Sequence, residues 1–244
     1  ATVYVIEVNP RASRTVPFLS KVTTVPMVRI ATNIMLGKSL AVQGYTGGLA
    51  PRQPLVAIKA PVFSMSKLIG VDTFLGPEMK STGEVMGVDA TFDAALAKAL
   101  MGAGMMLKPD ASVLVSIADR DKAEGAVLIQ QLYDMGCKLF ATEGTADYLR
   151  RMGMDVTMVT GKVGTGHPDC VDVIRDRSVQ AVINTMTGDR TPLRDGFEIR
   201  RAAAEMFIPC FTSLDTVAAA VRSLSKEGTA YSVRPLVHYL GQQG

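Results

Sequence analysis

A chain of 244 residues that is 48% hydrophobic and 20% charged has the composition of an ordinary globular protein and the length for one large or two modest cores. Its net charge of +3, with the basic residues dispersed, leaves no electrostatic footprint for nucleic acid, and no stretch reaches the roughly 18 to 20 apolar residues of a membrane-spanning helix. Cys137, Cys170 and Cys210 lack Cys-x-x-Cys spacing, and the sequence shows no signal-peptide pattern, so reduced, buried thiols in a cytoplasmic protein are expected; His167 and His238 are too isolated for a zinc cluster.

Val3 to Val8 is β-branched or aromatic apart from Glu7, which predicts a buried strand stopped by Pro10. With no initiating Met, a chain opening inside a strand reads as a piece of something longer. Side chains two apart share a face, so Glu7 and Asn9 would stand together at the strand end. A carboxylate and an amide oxygen suit a hard cation such as Mg²⁺, held jointly with nucleotide phosphates, and Arg11 and Arg14 offer forks for phosphoryl oxygens. The same residues also fit a strand end with a solvated charge cluster. Arg11 to Lys21 is expected to be irregular, with Pro17 limiting any helix. Pro26 then opens an amphipathic helix carrying Met27, Ile30, Ala31 and Ile34, with Gly37 as its stop.

Gly44 to Pro54 is a predicted loop, and Val56 to Phe63 a strand with Pro61 near an edge. Leu75 to Gly87 shows neither a helical nor a strand period and fits a functional loop or a connector equally. Thr91 caps a helix with Phe92, Ala95, Leu96 and Ala99 on one face. Gly102-Ala103-Gly104 and Lys108-Pro109-Asp110 form a linker, which divides the chain into residues 1–101 and 102–244.

Beyond the linker, strands at Val113–Ile117, Leu139–Ala141, Val156–Val159, Ala181–Ile183 and Ile208–Phe211 alternate with helices carrying Leu128, Leu132 and Met135, then Thr145 to Met152, Cys170 to Arg177 and Glu198 to Met206. A last helix, capped by Ser213, carries Leu214, Val217, Val221 and Leu224. Alternation of this kind predicts a parallel sheet covered on both faces, with ligands outside the carboxyl ends of its strands. Ser116, Thr142-Glu143-Gly144-Thr145 and Asn184-Thr185 fall at those ends. Thr142 and Thr145 lie where a helix begins and backbone N–H groups favour phosphate, and Lys122 and Lys162 would add charge. A monophosphate pocket is expected, although Ser, Thr and Asn serve equally as caps and turn formers.

Three stretches carry a family resemblance. Glu7-Val8-Asn9-Pro10-Arg11-Ala12-Ser13-Arg14-Thr15, followed by Val16-Pro17-Phe18-Leu19-Ser20-Lys21, is one; Leu75 to Gly87 and Ser112 to Thr145 are the others. In this order, over nearly the whole chain, they resemble the large subunit of carbamoyl-phosphate synthase. The resemblance implies an α/β chain: the C-terminal end of an ATP-grasp domain (α+β), then a methylglyoxal-synthase-like three-layer domain with a parallel sheet. It implies ATP as cofactor, with Mg²⁺ or Mn²⁺, two per ATP-grasp site. Glu7 and Asn9 would hold metals bridging ATP phosphates, and Arg11 and Arg14 would stabilise the transferred phosphoryl group. Glu78, Ser81 and Glu84 would border that site.

The resemblance also implies a glutaminase small subunit and the remainder of the large subunit as partners, an oligomeric full enzyme, a place in pyrimidine and arginine biosynthesis, and no nucleic acid or membrane. Residues matching the family's nucleotide-phosphate site, for UMP or IMP, are Ser116, Lys122, Thr142, Thr145, Lys162, Asn184 and Thr185. Lys162 aligns only after a one-residue shift, and Met186 stands where relatives carry threonine, with Thr187 as a substitute. Ala60 replaces a carboxylate of ornithine-responsive members, so weak or absent ornithine regulation is expected. The isolated chain, lacking most of the nucleotide cradle, is expected to make no carbamoyl phosphate. Two other functions fit parts of the chain. One is a methylglyoxal-synthase-like lyase using Asp169 of Gly166-His167-Pro168-Asp169 as base, which leaves residues 1 to 100 unexplained; the other is a purely regulatory nucleotide-binding module.

Overall fold

The computed structural model describes residues 4–8, 10–64, 72–73, 79–161, 163–185, 190–224 and 231–241. The second unit is organised by five parallel strands: β3 (Ser112–Ser116), β4 (Lys138–Thr142), β5 (Met158–Thr160), β6 (Ala181–Asn184) and β7 (Cys210–Phe211), in the order β5-β4-β3-β6-β7. Successive side chains on a strand point to opposite faces, and β3 shows it. Leu114 packs with Val171, Ile174, Val182, Ile199 and Ala203, while Val113 and Val115 pack with Ile129, Leu132, Leu149 and Val217. The first group is covered by α6 (Cys170–Arg175) and α7 (Arg190–Glu205), the second by α4 (Lys122–Asp134), α5 (Glu143–Arg151) and α8 (Leu214–Leu224). This is the expected α/β, three-layer arrangement.

Some elements differ from expectation in extent. The strand after Met152 is only Met158–Thr160. The last is only Cys210–Phe211, because Pro209 has no N–H to give the ladder, although its carbonyl accepts the Val182 N–H at 2.9 Å. The helix expected at Glu198 to Met206 is longer, running from Arg190 to Glu205.

In the first unit, β1 (Val56–Val62) and β2 (Gly83–Asp89) form a two-stranded antiparallel ribbon, with Pro61 opposite Glu84. The sequence shows no period over β2 because two of its seven residues are glycine, and Gly87 has a packing reason. A Cβ there would lie 2.1 Å from the Ala95 carbonyl oxygen of α3 (Phe92–Gly102); such an approach of helix backbone to strand requires glycine. α3 is capped as predicted, Thr91 Oγ1 accepting from the Ala94 N–H at 3.4 Å. Ala95, Leu96 and Ala99 are buried, but Phe92 is exposed and lies under the Arg222 guanidinium, 4.8 Å from the ring centroid.

Two further expectations at the start of the chain are corrected. Residues 4–8 form no strand, and Tyr4 and Ile6 are 81% and 97% exposed. Strand backbone groups need a neighbouring ladder, and among the described residues none pairs with this run. Arg11 to Lys21 is not irregular, because α1 spans Thr15–Thr23 with Pro17 in its first turn, where the N–H groups have no intrahelical partner. α2 (Met27–Met35) follows Pro26 as expected, and Gly37 takes φ +86° beyond its end.

The two units are joined by more than the linker. Leu96 and Leu100 of α3 share the core of Val113, Val217 and Ala220, and Arg222 Nε meets Asp93 Oδ1 at 2.8 Å. Near the end of the described chain, a short α9 (Leu236–Tyr239) brings Tyr239 to α3, where its hydroxyl accepts from Lys98 Nζ at 3.0 Å. No helix among the described residues is long and apolar enough to cross a membrane.

Candidate functional site

At the carboxyl ends of β3, β4 and β6 lies a cleft of about 710 Å³. Six predicted residues meet there: Ser116 and Asn184 at the ends of β3 and β6, Thr185 just beyond, Thr142 before α5, Thr145 in its first turn and Lys122 at the start of α4. Hydroxyls hold the walls together. Thr145 Oγ1 accepts from the Ile117 N–H at 3.3 Å and from Thr142 Oγ1 at 3.2 Å, and Thr185 Oγ1 accepts from the Ala118 N–H at 3.0 Å. A hydroxyl that accepts in this way still carries a proton for an oxyanion. The Thr185 N–H donates to the Ser116 carbonyl at 3.2 Å, tying β6 to β3 past the end of the sheet.

The α5 N-terminus opens on this cleft. Thr142 precedes the helix in extended conformation and its side chain does not cap it, so backbone N–H groups and the helix dipole at Glu143, Gly144 and Thr145 favour an anion. Lys122 Nζ donates to the Gly144 carbonyl at 2.8 Å and pairs with Asp119 Oδ1 at 2.7 Å. The lysine side chain is 16% exposed and Asp119 92%, so the ammonium is held at the rim and its partner faces solvent. That ammonium, by hydrogen bond and by charge, keeps the Asp119 carboxyl below its ordinary pKa. An arriving phosphate would share Lys122 with a solvated carboxylate, a weak competitor.

Arg200 lines the same cleft, although no sequence pattern points to it. It has no exposure, donates from Nη1 to Asn184 Oδ1 at 2.9 Å, and forks from Nε and Nη2 onto Asp72 at 2.8 and 2.6 Å. Among four arginines between 190 and 201 no periodicity marks it. Gly196, one turn earlier, is the available signal: a Cβ there would lie 2.6 Å from Arg200 Nη1, so the missing side chain leaves room for the guanidinium.

Lys162, Met186 and Thr187 lie outside the described residues. Asp169 does not line the cleft. Its carboxylate caps α6, accepting from the Val171 and Asp172 N–H groups at 2.7 and 2.9 Å and from the Gly164 N–H at 2.9 Å. Cys170 also lines the cleft, fully buried, and burial pushes its thiol up to about 11, away from the thiolate form that reactive cysteines need. Cys137 and Cys170 are buried as expected and Cys210 is half-buried; none is in a disulfide.

The other predicted group lies at the start of the chain. Glu7 and Arg11 are exposed, while Asn9 and Glu78 lie outside the described residues. Arg14 Nη1 donates to Ser81 through its carbonyl at 2.9 Å and its Oγ at 3.2 Å, and Glu84 pairs with Lys59 at 3.1 Å. Among the described residues no three His, Cys, Asp or Glu side chains come together to hold a metal.

The family model described as the MGS-like domain matches residues 124–212, a span that takes in β4 to β7 of the parallel sheet with the cleft at its carboxyl ends. Residues 1–43 match the model for the carbamoyl-phosphate synthase L chain, ATP binding domain. The carbamoyl phosphate synthase large chain of Thermomicrobium roseum is 61% identical over 237 residues, which cover 97% of this chain and 22% of that relative. The chain belongs to the carbamoyl phosphate synthase large-chain family, and spans about a fifth of the length of the curated relative it matches.

Proposed function

We propose that the chain is the C-terminal part of the large subunit of a glutamine-dependent carbamoyl-phosphate synthase, and that its cleft binds the phosphate of a regulatory nucleotide of the UMP or IMP type. The observation that carries this reading is the meeting of Ser116, Lys122, Thr142, Thr145, Asn184 and Thr185 around the open end of α5. Backbone N–H groups and hydroxyls would bind the phosphoryl oxygens and Lys122 would supply the charge; Lys162 is part of the same proposal.

Residues 1–101 would contribute to ATP-dependent carbamate phosphorylation, in which positioning and electrostatics do most of the chemistry. Arg11 and Arg14 are the groups that would stabilise charge on the transferred phosphoryl. Glu7 and Asn9 would lend oxygen donors to Mg²⁺ or Mn²⁺ only in a centre completed by residues elsewhere. The division at residues 101 and 102, the glutaminase and large-subunit partners, the oligomer, the cytoplasmic location, the weak ornithine response, the service to pyrimidine and arginine biosynthesis and the inactivity of the isolated chain belong to the same proposal.

Calorimetric titration with UMP, IMP and inorganic phosphate tests the cleft. Binding that weakens about 10-fold or more in Lys122→Ala, the worth of a charge-assisted hydrogen bond, is expected; equal affinity in the variant would refute the assignment. The lyase alternative is opposed by the capping role of Asp169, whose carboxylate accepts from three backbone N–H groups and does not line the cleft. Methylglyoxal formation from dihydroxyacetone phosphate would revive it.

A further inference from the structure

A run of hydrogen bonds connects the floor of the cleft to the segment carrying Arg14. Arg200 Nη1 faces the cleft through Asn184, and its Nε and Nη2 hold both carboxylate oxygens of Asp72 at 2.8 and 2.6 Å. The Asp72 carbonyl accepts from Lys80 Nζ at 3.0 Å. Ser81, the next residue, accepts twice from Arg14 Nη1, at 2.9 and 3.2 Å. Every link is a direct contact, and the route leaves the second unit only once, at the Arg200–Asp72 pair.

That pair has the properties of a divided loyalty. A guanidinium has five donors, cannot lose its proton and, with no exposure, must find its counter-charge inside the protein. Asp72 is its anionic partner from the first unit, with a side chain 32% exposed. An anion entering the cleft on the Asn184 side would offer the same guanidinium a second negative neighbour and lessen its hold on Asp72. The two-pronged geometry makes the grip directional, so a small rotation of the fork is felt at the carboxylate.

We propose that the Arg200–Asp72 ion pair relays occupancy of the cleft to the Arg14 segment, through Lys80 and Ser81. The proposal rests on the reading of the cleft as a nucleotide-phosphate site. Arg200 and Asp72 are positioning residues in it, and the quantity relayed is a coupling free energy between two sites. Proximity along a path does not demonstrate coupling, so the test must measure a response to ligand.

Hydrogen–deuterium exchange of the chain, recorded with and without saturating UMP, IMP or inorganic phosphate, supplies that readout at residues 13–24 and 79–89. In the wild type these amides are expected to change rate by about 5-fold or more on ligand addition, the lower range of allosteric coupling. In Asp72→Asn the ligand still binds and the change is lost. Lys80→Met leaves the ion pair intact and cuts the next link, so it gives the same loss even if Asp72→Asn folds poorly; unchanged protection of β3 to β7 verifies its fold. A merely structural role would alter exchange without ligand and leave the ligand-dependent difference in place. Ligand binding with an equal remote response in wild type and Lys80→Met overturns the relay and leaves the cleft assignment standing. Absence of binding by the wild type overturns both, since there is then no occupancy to relay.

Discussion

In β3, Val113, Leu114 and Val115 have no exposure at all, whereas neither α1 nor α2 has a single buried residue. Both regions carry apolar side chains at the spacing their secondary structure requires. They differ in what lies opposite. The sheet is enclosed by helices on both faces, so each strand side chain meets several others; Met27 and Ile30 of α2 are half-covered and Ile34 is 44% exposed. An amphipathic pattern therefore reports a capacity for burial, and the energy follows only when a complementary surface is present.

The contrast is sharpest in paired truncations. Leu132→Ala, in a fully buried helix position, is expected to lower unfolding stability in denaturant by about 2–5 kcal/mol. The chemically similar Ile34→Ala should change it by less than about 0.5 kcal/mol. Equal losses would show that α2 is covered in solution and erase the distinction. Gly87→Ala is next in size: the new methyl collides with the α3 backbone, and about 1–3 kcal/mol of overpacking should appear as a drop in melting temperature. Thr91→Ala removes the cap of α3 and should cost about 1 kcal/mol, measurable in the same titration.

The smallest effect concerns charge at the surface. His167 Nδ1 lies 2.7 Å from Asp172 Oδ2, and this contact raises the imidazole above its usual pKa. A raised histidine pKa stabilises the fold fully below the free value of about 6.5 and loses that contribution as pH climbs through the folded value. With a side chain 87% exposed, the energetic consequence is slight. An NMR titration should place His167 above an ordinary histidine in the wild type and return it to the ordinary range in Asp172→Asn; no difference would mean the pair does not persist in water.

Most of the second unit was legible because its signals are local. Val113-Leu114-Val115 is a short apolar run with a polar residue at its exit, and Gly136 ends the α4 turn at φ +86°. The same locality exposed the cleft, since Ser116, Thr142 and Asn184 each sit where a strand stops. What escaped depends on distant neighbours. β2 was hidden because Gly87 answers to Ala95 and Ala99 across the packing. Arg200 was hidden because its worth lies in Asp72, 128 residues away in sequence. The opening run failed for the opposite reason: Tyr4, Val5 and Ile6 have the chemistry of a strand, and no described segment supplies the ladder.

α3 has a practical consequence for anyone recombining relatives of this chain. Its alanines 95 and 99 abut β2, while Leu96 and Leu100 fill the core around Val217 and Ala220. One helix thus acts as a common wall between two rooms. A chimera that exchanges everything after the Gly102 linker would pair a foreign α8 with the native α3 and leave mismatched volumes at that wall. Grafts that carry residues 92–101 with the incoming module would move the seam to the α3–β2 side, where Gly87 abuts Ala95 and Ala99 and Lys98 Nζ meets the Val88 carbonyl at 2.7 Å and Asp89 at 2.8 Å, so a glycine at 87 and a lysine–aspartate match are what such a graft must keep.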